Sequence, residues 1–267
     1  MDSSTARKRA ELSGKATQVL ASRTLSSSHK RLAKILTEGI TVLDIGCGTG
    51  AITRGIAEVV GQKGRVVGID NNPKLINTAN QLYTNIPGLT FEVGDIFNLS
   101  YKEEFDIVTS ARVLQWLSNP LQALIAMKSA TKFGGKVLVL DYNHEKIVWE
   151  PEIIPSMKFF YSSFLKWRSD AGMDNAIADN LPNLFNKASL NDISISPQHE
   201  VINQMDNNYH SRIRIWADVA ASRGTQMVKD GYISERQRAS AETRYRKWVN
   251  EVAVTQTMYL LAVEGTK

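Results

Sequence analysis

Apolar and polar residues change their spacing along this chain, and the changes predict its secondary structure. Between residues 40 and 141, short runs rich in β-branched residues alternate with longer segments whose apolar residues recur at helical spacing. The strand-like runs are TVLDIG, RVVGID, LTFEVGD, FDIVTSA and GKVLVLD, and the helix-like segments are AITRGIAEVVG, PKLINTANQLY and NPLQALIAMKSAT. Such alternation predicts an α/β fold in which helices cover both faces of a parallel sheet.

The segments on either side of this region have other patterns. The first 37 residues are polar and predict one or two helices, whereas residues 145–188 and 209–251 have helical spacing and flank the strand-like DISISPQHEVIN. The strand-like VTQTMYLLAVEG comes last. We therefore divide the chain into an N-terminal helical cap segment (1–37), an α/β core (38–142), a helical cap insertion (143–190), and a final part (191–267) with the last strands and a helical insertion at about 209–251.

The composition narrows the class of protein. Of the 267 residues, 43% are hydrophobic, which is typical of a globular protein with a packed core. No apolar run approaches the ~18 residues of a membrane span, and the charged N-terminus lacks the apolar stretch of a signal peptide. The single cysteine, Cys47, excludes an internal disulfide and a cysteine-cluster zinc site. We therefore expect a cytoplasmic protein with no membrane partner.

The chain is basic, with a formal net charge of +5. Its basic residues concentrate in ARKRAELSGK, SHKRLAK, HSRIRIWADVAASRG and ERQRASAETRYRKW. A nucleic-acid-binding face and a site for an anionic small substrate are both compatible with these runs. The acids interleaved in the last run favour solvated helix faces instead, so the charge alone assigns no nucleic-acid partner.

One stretch, VLDIGCGTGAIT, places three glycines within five residues directly after a predicted strand. Gly46, Gly48 and Ala51 satisfy the G-x-G-x-x-G/A pattern of dinucleotide-binding folds, and Asp70 closes the next strand as that pattern requires. Asp44 lies at the end of the predicted first strand, two residues before Gly46, where its charge would repel a pyrophosphate bound at the glycine turn. An acid there instead suits S-adenosylmethionine, which carries an ammonium and a cationic sulfonium. The alternative for Asp44 is a cap of the turn.

Five segments together resemble the class I S-adenosylmethionine-dependent methyltransferases: VLDIGCGTG, GID, VGDIFNL, FDIVTSARVLQWLSNPLQAL and GGKVLVLD. The resemblance covers residues 38–141. It implies a Rossmann-like sheet of seven strands, six parallel and the last antiparallel, with the cofactor across the carboxyl ends of the first four. It also implies S-adenosylmethionine as cofactor, S-adenosylhomocysteine as product, and no metal. The expected cofactor-binding residues are Asp44, Gly46, Cys47, Gly48, Gly50, Asp70, Asn71, Asp95, Ile96 and Arg112.

Within this set the resemblance implies distinct roles. Asp70 is expected to accept hydrogen bonds from the ribose hydroxyls, and Asp95 to bond the adenine amino group with Ile96 beside the ring. Gly50 is expected to serve helix packing, and Cys47 to be a small filler rather than a nucleophile. Because these motifs are expected to bind the methyl donor, they do not identify the methyl acceptor.

Three residues after the predicted fourth and fifth strands are candidates for the site of methyl transfer. VLQWLSNP follows the fourth strand, and its pair Gln115 and Trp116 resembles the trans-aconitate and malonyl-thioester carboxyl methyltransferases. His144, in DYNHEK after the fifth strand, could act as a general base. The alternatives are a core position for Trp116 and a solvent or loop position for His144, and His29 is a weaker candidate base.

A carboxylate acceptor would need cations rather than a base. Four arginines could supply such a clamp: Arg112, Arg212, Arg214 and Arg223. Aromatic residues in the insertion would cover the pocket and exclude water, unless they only pack within the cap. The apolar residues of this segment are Ile154, Phe159, Phe160, Phe164, Leu165 and Trp167.

We therefore expect in-line methyl transfer to the oxygen or nitrogen of a small organic acceptor, a carboxylate among the candidates. No NPPY-like tetrapeptide follows FDIV, which argues against amino methylation of adenine or glutamine, and no acid cluster supports a magnesium mechanism. An RNA or protein methyltransferase, a non-catalytic cofactor-binding regulator and a nicotinamide-dependent oxidoreductase remain as alternatives. The sequence leaves the oligomeric state open.

Overall fold

The computed structural model describes residues 3–10 and 23–267. The strands are β1 Thr41–Ile45, β2 Arg65–Asp70, β3 Leu89–Val93, β4 Phe105–Ala111, β5 Thr131–Glu150, β6 Asn191–Pro197, β7 Glu200–Asn203 and β8 Thr255–Thr266. The helices are α1 Ser3–Ala10, α2 Leu25–Ser28, α3 Lys30–Ile35, α4 Ala51–Val60, α5 Pro73–Leu82, α6 Pro120–Ala130, α7 Pro155–Ser169, α8 Ile177–Lys187, α9 Tyr209–Ile213, α10 Ile215–Lys229 and α11 Glu235–Glu251. A 3₁₀ turn, Leu114–Trp116, follows β4.

The strands form one sheet with the order β3-β2-β1-β4-β5-β8-β6, and β7 also pairs with β8. β1 to β5 pair in parallel, and β8 runs antiparallel to its neighbours. The predicted α/β fold with a mostly parallel sheet is therefore confirmed. The chain leaves β1 and β4 in opposite directions across the sheet, and such a switch point opens a crevice at the carboxyl ends of the two strands.

The described part of the chain forms eight strands, so the predicted count of seven is wrong. The segment DISISPQHEVIN, predicted as one strand, is divided into β6 and β7, which pair with consecutive parts of β8. Between them the Gln198 N–H donates to the Leu260 carbonyl at 3.0 Å, and the Leu260 N–H donates to Nδ1 of His199 at 3.1 Å. A side chain thus replaces a backbone carbonyl in the ladder, and regular pairing is interrupted there.

β5 is longer than the sequence pattern predicts. Residues 145–150, predicted to be helical, continue the strand to Glu150 and pair with the start of β8. The pairing shifts register between Asn143 and Val148, so His144 lies where the strand leaves regular pairing. The half-buried Trp149 in this extension contacts Tyr161 edge-on at a ring-centroid distance of 5.1 Å. Packing of this kind against the cap favours the extended conformation over a helix.

The cap helices α7, α10 and α11 pack on one face of the sheet, whereas α8 of the predicted cap insertion packs on the other face. Buried side chains of α7, α10 and α11 join the core that also contains the inward residues of β1, β4 and β5 on that face. Of the aromatic segment, Phe160, Phe164 and Trp167 are buried in this core, whereas Phe159 is exposed. In residues 3–10 and 23–267, the structure contains no helix with the length and apolarity required to cross a bilayer.

Candidate active site

The glycine-rich loop connects β1 to α4 in a conformation that side chains disfavour. Gly46, Gly48 and Gly50 have φ angles of +74°, +58° and +79°, in the region open mainly to glycine. A Cβ atom on Gly46 would lie 2.3 Å from Cγ2 of Val113, so the loop also needs glycine for space. Burial raises the pKa of the Cys47 thiol well above its usual value, so the thiol stays protonated and is a poor nucleophile.

Two carboxylates lie together beside this loop. The Thr53 hydroxyl donates to Oδ2 of the buried Asp44 at 2.7 Å, and burial raises the pKa of Asp44 to about 6, with Asp70 adding to the rise. Asp70 ends β2 and accepts from the N–H groups of Gly48 at 3.0 Å and Asn72 at 2.9 Å. Burial also raises the pKa of Asp70, against those two hydrogen bonds.

This donor set fits S-adenosylmethionine better than a dinucleotide. The adjacent carboxylates of Asp44 and Asp70 stabilise a cationic ligand and repel a pyrophosphate. Each Asp70 oxygen keeps acceptor capacity beyond its one backbone hydrogen bond, so the carboxylate can accept from both hydroxyls of a ribose.

Three further residues predicted to bind the cofactor lie at the same edge of the sheet. Asp95 follows β3, and its Oδ1 accepts from the N–H of Phe97 at 3.0 Å. Ile96 is buried beside it, and Asn71, directly after β2, is exposed. The structure thus gathers the acidic ends of β1, β2 and β3 around one crevice, in the order that the resemblance implies.

Arg112 follows β4, and its side chain contacts Tyr142, Ser28 and Glu200. Its φ angle is +64°, which is unusual for a residue with a side chain. The buried guanidinium donates through Nε to the Tyr142 hydroxyl at 2.9 Å and through Nη2 to the Ser28 carbonyl at 3.0 Å. It also forms an ion pair with Glu200. Nη1 has no partner.

Gln115 and His144 are in direct contact, as neighbouring strand ends allow. Gln115 Oε1 lies 2.6 Å from His144 Nε2, and both side chains are buried. The Gln115 N–H donates to Oδ2 of the buried Asp141 at 3.0 Å, which fixes the turn after β4 against β5. Burial, with Arg168 nearby, lowers the pKa of His144 well below its usual value. His144 is therefore neutral at physiological pH, and its Nδ1 has no hydrogen-bond partner.

Trp116 is half-buried and lies between two guanidinium groups. The Cζ atoms of Arg168 and Arg223 are 4.7 and 4.9 Å from its ring centroid. Trp116 also packs against Ala6 of α1, so the N-terminal helix covers this side of the candidate site. Arg223 donates to the carbonyls of the last two α1 residues, at 2.7 and 2.9 Å.

The four arginines proposed as a clamp do not converge. Arg223 holds α1, Arg212 lies 3.6 Å from Asp206, and Arg214 is exposed. Of these four, only Arg112 contacts the Gln115–His144 pair, through its backbone carbonyl.

His29, the weaker candidate base, is buried over β4. Its Nε2 lies 3.1 Å from the Thr109 hydroxyl, and burial with Arg112 nearby lowers its pKa to about 3. A histidine this weakly basic is a poor general base.

Sequence reasoning missed Arg168 and Glu200. Arg168 is fully buried, and it donates to the Gln115 carbonyl at 2.8 Å and to Asn175 Oδ1 at 2.8 Å. A signal was available: Arg168 lies four residues after Phe164 on the inward face of a helix rich in aromatics, where a charge needs a partner. Glu200 had no such signal, because its contact with Arg112 depends on the position of β7. In residues 3–10 and 23–267, no group of histidine, cysteine and acidic side chains could hold a metal.

Comparisons with known proteins agree with this geometry. A family model described as a methyltransferase domain matches residues 36–189, more than half of the chain. The chain is 30% identical over 131 residues to demethylmenaquinone methyltransferase of Staphylococcus epidermidis, covering 49% of this chain and 52% of the relative. It is 30% identical over 109 residues to malonyl-[acyl-carrier protein] O-methyltransferase of Bacillus cereus, covering 41% and 40%.

A solved structure of Haemonchus contortus phosphoethanolamine N-methyltransferase 2, bound to S-adenosylhomocysteine, superposes with a TM-score of 0.56 at 18% identity. The match covers 91% of this chain and 52% of that chain, and at this identity it concerns the fold. The chain spans between 30% and 52% of the length of the first curated relatives it matches. The matched segment includes the glycine loop, all three acidic strand ends and the Gln115–His144 pair. The chain belongs to the methyltransferase domain family.

Proposed function

We propose that this protein is an S-adenosylmethionine-dependent methyltransferase that methylates the oxygen or nitrogen of a small organic acceptor. One observation carries the acceptor class: the Gln115–His144 pair is buried, and the free Nδ1 of His144 is enclosed by aromatic rings. Phe164 and Trp216 lie edge-on to the His144 ring at 6.1 and 6.3 Å. An enclosed site suits a metabolite and is awkward for a folded RNA, whose phosphates need an open basic surface.

The donor side of the reaction depends on the acidic crevice. Asp44 and Asp70 favour a cationic donor, and the glycine loop allows close approach of its backbone. When bound, S-adenosylmethionine supplies a methyl group activated by its positively charged sulfur. Most of the rate acceleration then comes from holding the acceptor atom in line at near-attack distance.

The acceptor side depends on His144. Its neutral ring donates Nε2–H to Gln115 and presents the lone pair of Nδ1. Nδ1 can accept a hydrogen bond from an acceptor O–H or N–H and so orient the attacking lone pair. The aromatic side chains of α7 and α10 exclude water from this position, which favours a reaction that neutralises a cation.

Two assays test the proposal. Calorimetric titration should show saturable binding of S-adenosylhomocysteine and none of NAD, and the reverse would favour the oxidoreductase. With radiolabelled S-adenosylmethionine, a cell extract treated with ribonuclease and protease should accept as much label as the untreated extract. Loss of all label after either treatment would replace the small acceptor with RNA or protein.

A further inference from the structure

Buried polar atoms without partners concentrate at the candidate site. In the described part of the chain eight buried side-chain nitrogen or oxygen atoms lack a hydrogen-bond partner, and four of them belong to Arg112, His144, Arg168 and Trp216. We call these four residues the nitrogen cluster. Native proteins leave few such atoms, so a concentration of them indicates a place where a ligand supplies the partners.

Gln115 contacts three members of the nitrogen cluster, His144 and Arg168 through their side chains and Arg112 through its backbone carbonyl. Gln115 Nε2 donates to the Arg112 carbonyl at 3.1 Å, Arg168 Nη2 donates to the Gln115 carbonyl at 2.8 Å, and His144 Nε2 donates to Gln115 Oε1 at 2.6 Å. The Trp216 ring lies 6.3 Å from the His144 ring.

Three of the four free atoms are donors, and two of those are on cations. Arg112 Nη1, Arg168 Nη1 and Trp216 Nε1 carry N–H groups and cannot accept, whereas His144 Nδ1 carries the lone pair. The missing partner is therefore rich in acceptor atoms. The guanidinium of Arg168, which has no carboxylate partner among the described residues, favours an anion over a neutral carbonyl, because charge-assisted hydrogen bonds are roughly twice as strong as neutral ones.

Arg168 is the strongest part of this argument because it is a fully buried cation without an ion pair. No carboxylate of the described residues lies within 4.0 Å of its guanidinium. Burial lowers the pKa of Arg168 to about 10, and the charge of Asp141 opposes this shift only in part. The ring of Phe164, 5.5 Å from Cζ, stabilises the charge but uses no N–H group.

We propose that the methyl acceptor carries a carboxylate or phosphate group that binds to Arg168, with Arg112 and Trp216 as further donors. This inference rests on the proposed function and adds the chemical class of the acceptor. His144 Nδ1 then receives a hydrogen bond from a separate O–H or N–H of the same molecule.

The test uses formate and inorganic phosphate as probes on the full chain saturated with S-adenosylhomocysteine. Each anion is titrated while tryptophan fluorescence is recorded, since Trp116 and Trp216 lie at the site. At least one anion should bind saturably, and Arg168→Gln should weaken it by about tenfold or more. The matched control is Arg244→Gln, which removes an exposed guanidinium from α11 and should leave anion binding unchanged.

The outcomes separate this inference from the proposed function. If S-adenosylhomocysteine fails to bind, the proposed function is wrong. If it binds but neither anion does, or Arg168→Gln binds the anion as the wild type does, only the anionic acceptor is wrong. Should Arg168→Gln fail to fold, Trp216→Phe removes one donor and keeps the ring, and unchanged anion binding there would also overturn the inference. Preference for formate or for phosphate identifies a carboxylate or a phosphate acceptor.

Discussion

His144 and Gln115 fix each other's hydrogen-bonding state through a 2.6 Å contact. The Gln115 amide nitrogen donates to the Arg112 carbonyl, which can only accept, so Oε1 must face His144. Oε1 also only accepts, so Nε2 of His144 carries the hydrogen and Nδ1 is left with its lone pair. Because burial lowers the pKa of His144, the ring is neutral and its Nδ1 can accept a hydrogen bond.

The first prediction concerns the residues around the transferred methyl group. Gln115→Ala, Trp116→Ala and His144→Ala should each lower turnover on the identified acceptor, because each removes part of the acceptor's positioning. Affinity for S-adenosylhomocysteine, measured by calorimetry, should stay within a few-fold of the wild type. Full activity in all three variants would contradict this assignment. Thermal unfolding of each variant controls for loss of the fold.

The second prediction concerns the ribose contact. Asp70→Asn leaves one acceptor oxygen in place of two and should weaken S-adenosylhomocysteine binding by about 1–3 kcal/mol. Asp192→Asn is the matched control, since it changes an exposed aspartate on β6 and should leave binding unchanged. Equal affinity of Asp70→Asn and the wild type would show that the cofactor lies elsewhere.

The third prediction separates strain from crowding in the glycine loop. Gly46 and Gly134 have similar φ angles, +74° and +76°, so alanine would have similar backbone strain at both positions. A Cβ on Gly46 would meet Val113 at 2.3 Å, whereas one on Gly134 meets nothing within 4 Å. In urea unfolding, Gly46→Ala should therefore lose about 1–3 kcal/mol more stability than Gly134→Ala. Equal losses would mean that the loop adjusts at no cost.

The fourth prediction concerns the buried His29 and acid stability. Its pKa is about 3 in the folded protein and 6.5 when exposed, so below pH 6.5 the unfolded chain binds a proton that the folded chain refuses. This contribution is absent above pH 6.5 and destabilises the fold as the pH falls. Lowering the pH from 8 to 5 should cost the wild type about 2 kcal/mol more than His29→Gln, which cannot titrate.

Urea unfolding of both proteins at pH 8 and pH 5 gives this difference directly. Burial raises the pKa values of Asp44 and Asp141 to about 6, so these groups titrate in both proteins and their contributions cancel. If the wild type and His29→Gln lose the same free energy of unfolding between pH 8 and pH 5, the pKa of His29 is not lowered in the folded protein.

The motifs predicted the parallel sheet and the crevice because both depend on local spacing. The glycine loop and Asp70 are set by a strand, a turn and a helix that follow one another, so a short segment contains the information. The contact between Gln115 and His144 was within reach for a similar reason, because their strands are neighbours in the sheet.

The features that could not be predicted from the sequence depend on contacts between residues far apart in the chain. The division between β6 and β7 arises where the Leu260 N–H donates to His199, and the residues around position 199 do not predict this contact. The extension of β5 is stabilised by β8 and by Tyr161 of α7. The ion pair of Arg112 could not be predicted, because its partner Glu200 lies 88 residues away along the chain.

The most direct test of the central claim is a mass measurement of methyl transfer. The full chain is incubated with S-adenosylmethionine carrying a deuterated methyl group and a filtered small-molecule extract, and the products are analysed by mass spectrometry beside an Asp70→Asn control. We predict a small molecule that gains one deuterated methyl group, together with S-adenosylhomocysteine, at a rate that falls in the control. Label found only in RNA or protein, or no transfer with any fraction, would contradict the account.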